Sequence, residues 1–247
     1  MDDLNAFTGV VRRCVDDYGM IDAGDAITVG VSGGKDSLVT LAALRRLQSY
    51  YPKPFTLHAV TCDMGFPGMD FTPVADWCET LGVPYTIVKT DIREIVFDIR
   101  NETNPCSLCA KMRKGALNNA AMELGCGKVA LGHHLDDAVE TFLMNLLLEG
   151  RVGCFCPVTH LDRSGITQIR PLLYAEEMRV ALLARKLGLP VVKTTCPMDK
   201  ASKRRQGKDL IAALSTQYPD LKTKIFGAMQ RLPLDGWQKR QTPPRAD

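Results

Sequence analysis

Residues 26–37 read AITVGVSGGKDS, and this stretch decides the fold. Ile27, Val29 and Val31 alternate as β-branched residues, the pattern of a buried strand. Ser32-Gly33-Gly34-Lys35-Asp36-Ser37 follows at once, and apolar residues then recur at helical spacing from Leu38 to Leu47. A strand that breaks at two glycines into a helix start suits an anion. Glycine lets the backbone come close, the N–H groups of the first helical turn point outward, and the helix dipole favours negative charge. Ser32, Ser37 and Lys35 add two hydroxyls and an ammonium to that cradle. The competing reading is an ordinary glycine-rich turn with a Ser or Asp cap. Neither the GxxxxGK[ST] spacing of a Walker A loop nor GxGxxG is present.

Outward from that turn, strands and helices alternate. A leading helix carries Leu4, Phe7, Val10, Val11 and Val15 within residues 1–25. Strands are expected at 55–62 (ending before Asp63), 84–89, 128–131, 167–170 and 190–193, and helices at 74–81, 105–124, 134–148 and 175–187. Helices at 200–216 and 221–232 close the chain, while 91–104 gives no clear pattern. This order predicts an α/β fold: a mainly parallel sheet with helices on both faces, plus C-terminal helices. Ligands of such sheets bind beyond the carboxyl ends of the strands. The Ser32 loop, Asp63 and the Gly132-His133-His134 turn all fall at predicted strand ends and so converge on one rim. Without internal repeats or a linker, residues 1–247 are expected to be one domain, with a leading helix (1–25) and a basic helical extension (198–247).

The chain has 247 residues, 45% of them apolar, and a mean hydropathy of −0.07, ordinary values for a globular protein. No apolar run approaches the ~18 residues of a membrane span. The start, MDDLNAFTGVVRRC, lacks a signal-peptide core, so a cytoplasmic location without membrane association is expected. Net charge is +3, but unevenly spread: residues 198–247 carry 11 Lys or Arg against five Asp, net +6, and the preceding residues net −3. A basic tail on a mildly acidic body suits a polyanionic partner or a solvated helix face. Nine cysteines, an odd number in a chain without export signals, favour metal or thiol chemistry over a disulfide scaffold.

Three further segments carry chemistry. Residues 131–141 read LGHHLDDAVET at a strand end opening a helix. Asp136 and Glu140 fall about one turn apart on one side, with Asp137 beside them, and can hold Mg²⁺ through oxygen. They can equally be first-turn acids that complement the helix dipole. Residues 104–113 read NPCSLCAKMR: Cys106 and Cys109 form a CxxC at a helix start, where the dipole and cations lower thiolate pKa values. Such a pair can bind metal, act as a redox couple, or be two small buried residues. Lys200, Arg204 and Lys208 share one helical face with Lys203 and Arg205 nearby, and Lys111, Arg113 and Lys114 follow the CxxC. Few aromatics interleave, which favours contact with a nucleic-acid backbone over base stacking.

SGGKDS resembles the pyrophosphate loop of the PP-loop ATP pyrophosphatases, and LGHHLDDAVET their GHxxDDxxET segment. NPCSLCAKMRKGAL resembles the PCxLCxxxRRG segment of the tRNA 2-thiocytidine synthetases, and Cys196 after VVKTT stands where that family has its third cysteine. The family has a further cysteine three residues earlier; here that position is Lys193. The resemblance spans about residues 29–229. It implies ATP on Ser32, Gly33, Gly34, Lys35, Asp36, Ser37, Asp63, Gly132 and His133, with Lys35, Asp36, Asp137 and Cys196 taking part in catalysis. It implies Mg²⁺ on Asp136, Asp137 and Glu140, and a [4Fe–4S] cluster on Cys106, Cys109 and Cys196, with one iron free of protein ligand. The implied activity is ATP-dependent thiolation of tRNA. The C2 oxygen of a cytidine is adenylylated and then replaced by sulfur, supplied by sulfide or a cysteine desulfurase, and tRNA docks on the basic residues above. A homodimer is also implied. A lysidine-type ligase and a nucleotide-binding iron–sulfur sensor are the alternatives. Cys154 and Cys156 in GCFCP read as small residues of a packed loop, Arg170-Pro171-Leu172 as a turn near the nucleotide, and Cys14, Cys62, Cys78 and Cys126 as core.

Overall fold

A computed structural model describes residues 2–100, 102, 104–198, 203–232 and 236–237; within this range the side chains of 203–206 lie outside the description. Six strands build one sheet: β1 (Asp25–Gly30), β2 (Phe55–Asp63), β3 (Tyr85–Lys89), β4 (Lys128–Ala130), β5 (Val158–Leu161) and β6 (Ile166–Ile169). Their order is β3-β2-β1-β4-β6-β5. All neighbours run parallel except the β5–β6 pair. Eight α-helices accompany them among the described residues: α1 (Asp2–Tyr18), α2 (Lys35–Gln48), α3 (Thr72–Thr80), α4 (Pro105–Glu123), α5 (Leu135–Leu148), α6 (Glu177–Lys186), α7 (Lys203–Gln217) and α8 (Leu221–Arg231).

Alternation along the strands sorts the core onto two faces. Ala59 and Ala130 belong to the larger cluster, with residues of α1, α2, α5, α6 and α8. Their neighbours Val60 and Val129 belong to the smaller one, beneath Leu117 and Ala121 of α4. Leading helix α1 is integral to the larger core: Val11, Cys14 and Val15 are fully enclosed. Met229 of α8 and Trp237 are enclosed as fully, and Phe226 of α8 is buried with them.

Three expectations change. Residues 190–193 are not a strand; the Val192 N–H turns to the carbonyl of Gly33 at 2.9 Å, lying on the glycine loop instead of joining the sheet. Strand β5, unforeseen, pairs antiparallel with β6 through a turn at Gly165, where φ is +67°. The patternless stretch contains a π-helical turn, Glu94–Ile99. Of the cysteines assigned to the core, Cys14, Cys78 and Cys126 are buried, but Cys62 is only half-buried, its thiol beside the Arg113 carbonyl on α4. Among the described residues, no helix is long and apolar enough to cross a membrane.

Candidate active site

The glycine loop is held open by its own hydroxyl. Ser37 Oγ accepts the Ser32 N–H at 3.1 Å and donates to the Gly34 carbonyl at 2.8 Å, bending the chain from β1 into α2. Gly33 has φ +81°, a left-handed conformation that glycine adopts without strain. Gly34 is the N-cap of α2 and offers no capping side chain, so the first-turn N–H groups face outward. A second loop presses on the first: a Cβ on Gly132 would lie 3.0 Å from the backbone of Asp36 and Ser37. Only a glycine lets the β4–α5 turn come this near.

Around this cradle runs a set of acids and lysines from five helices, α2, α5, α6, α7 and α8. Lys35 Nζ lies 3.0 Å from Asp36 Oδ1 and 3.0 Å from Glu177 Oε1. Burial opposes the Lys35 charge, but Asp36 and Glu177 outweigh it and raise its pKa. Lys208 reaches both Glu177 oxygens, at 3.1 and 3.0 Å, and lies 3.9 Å from Glu140. Burial alone would push the Glu177 carboxyl up; the hydrogen bonds from Lys208 and Lys35 win and hold it at about 2. Lys222 pairs with Asp136 Oδ1, and Asp136 Oδ2 accepts the Glu177 N–H at 2.6 Å. Burial also opposes the Lys222 charge, and Asp136 more than compensates.

The other nucleotide-side residues are accounted for. His134 caps α5 reciprocally with Asp137: the Asp137 N–H bonds His134 Nδ1, and the Asp137 carboxylate accepts the His134 N–H at 3.0 Å. Asp137, expected at the metal and in catalysis, thus has a structural task in this geometry, while Asp136 and Glu140 are buried. The Asp63 carboxylate accepts the Gly65 N–H at 3.0 Å, shaping the turn beyond β2. The His133 ring tilts against Phe155, 4.9 Å between centroids.

The thiols stand at the same rim. Cys106 and Cys109 occupy the first turn of α4, behind Pro105 at a position that needs no N–H donor. Cys109 Sγ lies 3.5 Å from Met64 Sδ, one residue beyond β2. Burial raises its pKa and Arg113 lowers it, while Cys196 and Cys106 both lie near enough to raise it further. Cys196 arrives on the segment anchored by Val192 on Gly33 and by the Thr195 hydroxyl on the Pro67 carbonyl at 3.0 Å. Cys106 is exposed, and Cys109 and Cys196 are half-buried. Among the described residues, no three His, Cys, Asp or Glu side chains are already drawn together tightly enough to hold a metal ion.

Of the expected nucleic-acid contacts, Lys111, Arg113 and Lys114 are exposed on α4 beside the thiols. Lys200 lies outside the described residues, as do the side chains of Lys203, Arg204 and Arg205. Lys208 departs from the expected outward stripe: Glu177 and Glu140 draw it inward to the acids. Sequence reasoning missed Glu177 and Lys222. Glu177 follows Glu176 at a helix start, where acids are commonplace, and Lys222 is separated from Asp136 by 86 positions. Cys154 and Cys156 flank Phe155, over whose ring the buried Arg170 guanidinium sits at 5.0 Å. Arg170 also donates to the Cys156 carbonyl, and burial raises the Cys154 thiol to about 12, a packed and unreactive thiol.

A parallel sheet whose glycine turn and acid-bearing neighbour turn meet at one rim defines a nucleotide-binding α/β protein, and residues 10–205 match the PP-loop domain family. A tRNA-cytidine(32) 2-sulfurtransferase of Pelobacter propionicus is 38% identical over 225 residues, covering 90% of this chain and 84% of the relative. One from Geobacter sulfurreducens is also 38% identical, over 222 residues, 89% of this chain and 86% of the relative. The chain belongs to this family of PP-loop tRNA-cytidine(32) 2-sulfurtransferases. In three dimensions it is similar to the U34-tRNA thiolase NcsA of Methanococcus maripaludis, solved with its [4Fe–4S] cluster. The TM-score is 0.79 and the identity 29%, over 93% of this chain and 78% of that one.

Proposed function

We propose that the chain activates cytidine 32 of tRNA with ATP and exchanges its C2 oxygen for sulfur. The observation that supports this reading is the 189–196 segment: it rests on the anion cradle at Val192 and carries Cys196 near enough to Cys109 for the two thiols to act on each other electrostatically.

The α2 N-terminus, Ser32, Ser37 and Lys35 bind the phosphates, and Asp63, Gly132 and His133 flank the nucleoside end. Asp136 and Glu140 are carboxylates of the kind that would hold Mg²⁺ beside the phosphates of ATP, once the cation displaces Lys222 and Lys208, which neutralise them here. The C2 oxygen attacks the α-phosphate and pyrophosphate leaves, its charge stabilised by Lys35 and the backbone amides. Replacement by sulfur at C2 then expels AMP. Cysteine thiolates are the ligands an iron–sulfur centre selects, so Cys106, Cys109 and Cys196 would hold a [4Fe–4S] cluster on drawing together, and the cluster would supply the sulfur-handling chemistry. Lys111, Arg113 and Lys114 sit beside those thiols and meet the tRNA backbone, leaving an unpaired base to enter. Sulfide or a cysteine desulfurase is the sulfur source, and two copies form the working unit.

The test is direct. Anaerobically purified protein is incubated with ATP, sulfide and tRNA from a strain lacking the modification, and nucleosides are analysed by mass spectrometry. Appearance of 2-thiocytidine, dependent on ATP, is expected. AMP release without thiolated nucleoside, in protein that retains iron, overturns the reading.

A further inference from the structure

Lys35 and Lys208 come from opposite ends of the sequence, yet both ammonium groups lie within 3.1 Å of one atom, Glu177 Oε1. Lys208 also takes the second Glu177 oxygen at 3.0 Å. Two ammonium groups around one anionic oxygen are arranged as they are around a phosphate. A single carboxylate is a modest partner for them, carrying one negative charge where the phosphates of ATP carry several. We propose that Lys208 is a second pyrophosphate-binding lysine of the PP-loop site, and that the Glu177 carboxylate holds the phosphate's place until ATP enters. This inference rests on the nucleotide reading of the cradle given above.

The placement follows from the fold. Glu177 is the first residue of α6, and its backbone is pinned by the Asp136 carboxylate, so its side chain can swing without moving the helix start. Lys208 stands on α7, where a Cβ on the adjoining Gly207 would meet Met144 of α5 at 3.2 Å. That close helix contact aims the long Lys208 side chain at the rim. On ATP binding, both lysines exchange a carboxylate for phosphate oxygens of higher charge, and Glu177 is released toward solvent. No bond is made or broken in this exchange.

Inorganic pyrophosphate and AMP serve as probes, titrated calorimetrically into the full chain in EDTA without tRNA. AMP lacks the leaving pyrophosphate and so does not engage Lys208. Lys208→Gln is expected to weaken pyrophosphate binding about ten- to a hundredfold, the scale of one hydrogen bond to a charged group. AMP affinity stays unchanged, and Lys208→Arg recovers most of the pyrophosphate loss. Glu177→Gln, which removes the internal competitor, tightens pyrophosphate binding. An unaltered affinity in Lys208→Gln, an equal loss for AMP, or weaker pyrophosphate binding in Glu177→Gln overturns the clamp alone. An unsubstituted chain that binds neither AMP nor pyrophosphate, in EDTA or with Mg²⁺ added, overturns the nucleotide reading and the clamp with it. Melting temperatures of the variants identify any that fail to fold, in which case Lys208→Met with the Glu177→Gln change carries the same comparison.

Discussion

The Val192 amide donates to the Gly33 carbonyl at 2.9 Å, and a Cβ on Gly33 would lie only 2.9 Å from Val192 Cβ. One backbone contact therefore couples the phosphate loop to the segment that ends in Cys196. The segment gains a hydrogen-bond acceptor outside the sheet, and the loop gains a wall.

Gly33→Ala is the sharpest probe of that coupling. The new methyl meets Val192 while the backbone sits at φ +81°, where side chains are strained. A cost of about 1–3 kcal/mol in chemical denaturation is expected. ATP affinity falls, and iron content falls with it because the Cys196 segment is displaced. Full iron retention beside lost ATP binding would show that the two sites are mechanically independent.

Cys106→Ser, Cys109→Ser and Cys196→Ser are each expected to lose the iron–sulfur chromophore under anaerobic purification while still binding ATP. Cys154→Ser and Cys156→Ser should keep it, since Cys154 is packed against the Ala138 carbonyl at 3.4 Å and its thiol is held protonated by burial. Iron analysis per chain checks both statements. Iron retained in Cys196→Ser removes the third ligand from the reading.

Much of this site was legible in the sequence because local chemistry announces it. A β-branched run, two glycines and a hydroxyl-rich helix start define the cradle without reference to anything distant, and the order of strands places its rim. Residues 190–193 misled because Val191 and Val192 have strand-like side chains, whereas the partner of Val192 is the carbonyl of Gly33, 159 positions away. Lys208 misled for the same reason. Helical spacing gives it an outward stripe with Arg204, but the buried Glu140 and half-buried Glu177 decide where an ammonium settles. Short strand β5 has only four residues, and its pairing with β6 depends on a turn at Gly165 that resembles any polar loop.

Acid stability should report on Glu177. Its folded pKa, about 2, lies below the ordinary value of 4.5, so its ionised form contributes stability in full above about pH 4.5. That contribution is lost as pH falls from 4.5 through 2, when the carboxyl protonates and releases Lys35 and Lys208. Glu177→Gln is therefore expected to be less stable at neutral pH and to show a flatter dependence across this acid window. Urea denaturation at a series of pH values measures the slope. An unchanged slope would mean that other carboxylates carry the acid sensitivity.

Gly132→Ala tests whether the two loops must touch. Its methyl would meet main-chain atoms, Asp36 C and Ser37 N at 3.0 Å and Asp36 O at 3.1 Å, which cannot turn aside as a side-chain tip does. Either α2 or the β4–α5 turn must shift, separating Lys35 and the first-turn amides from Asp136 and His133. Displacements near 1 Å can cost about a hundredfold in rate when groups must be held in register. The expected result is a large fall in kcat/KM for ATP-dependent thiolation with a smaller loss of melting temperature. Gly127→Ala is the control: it precedes β4, no atom lies within 4 Å of its added methyl, and its activity should match the unsubstituted chain. Equal activity in Gly132→Ala would show that the cradle and the acid-bearing turn work without their contact.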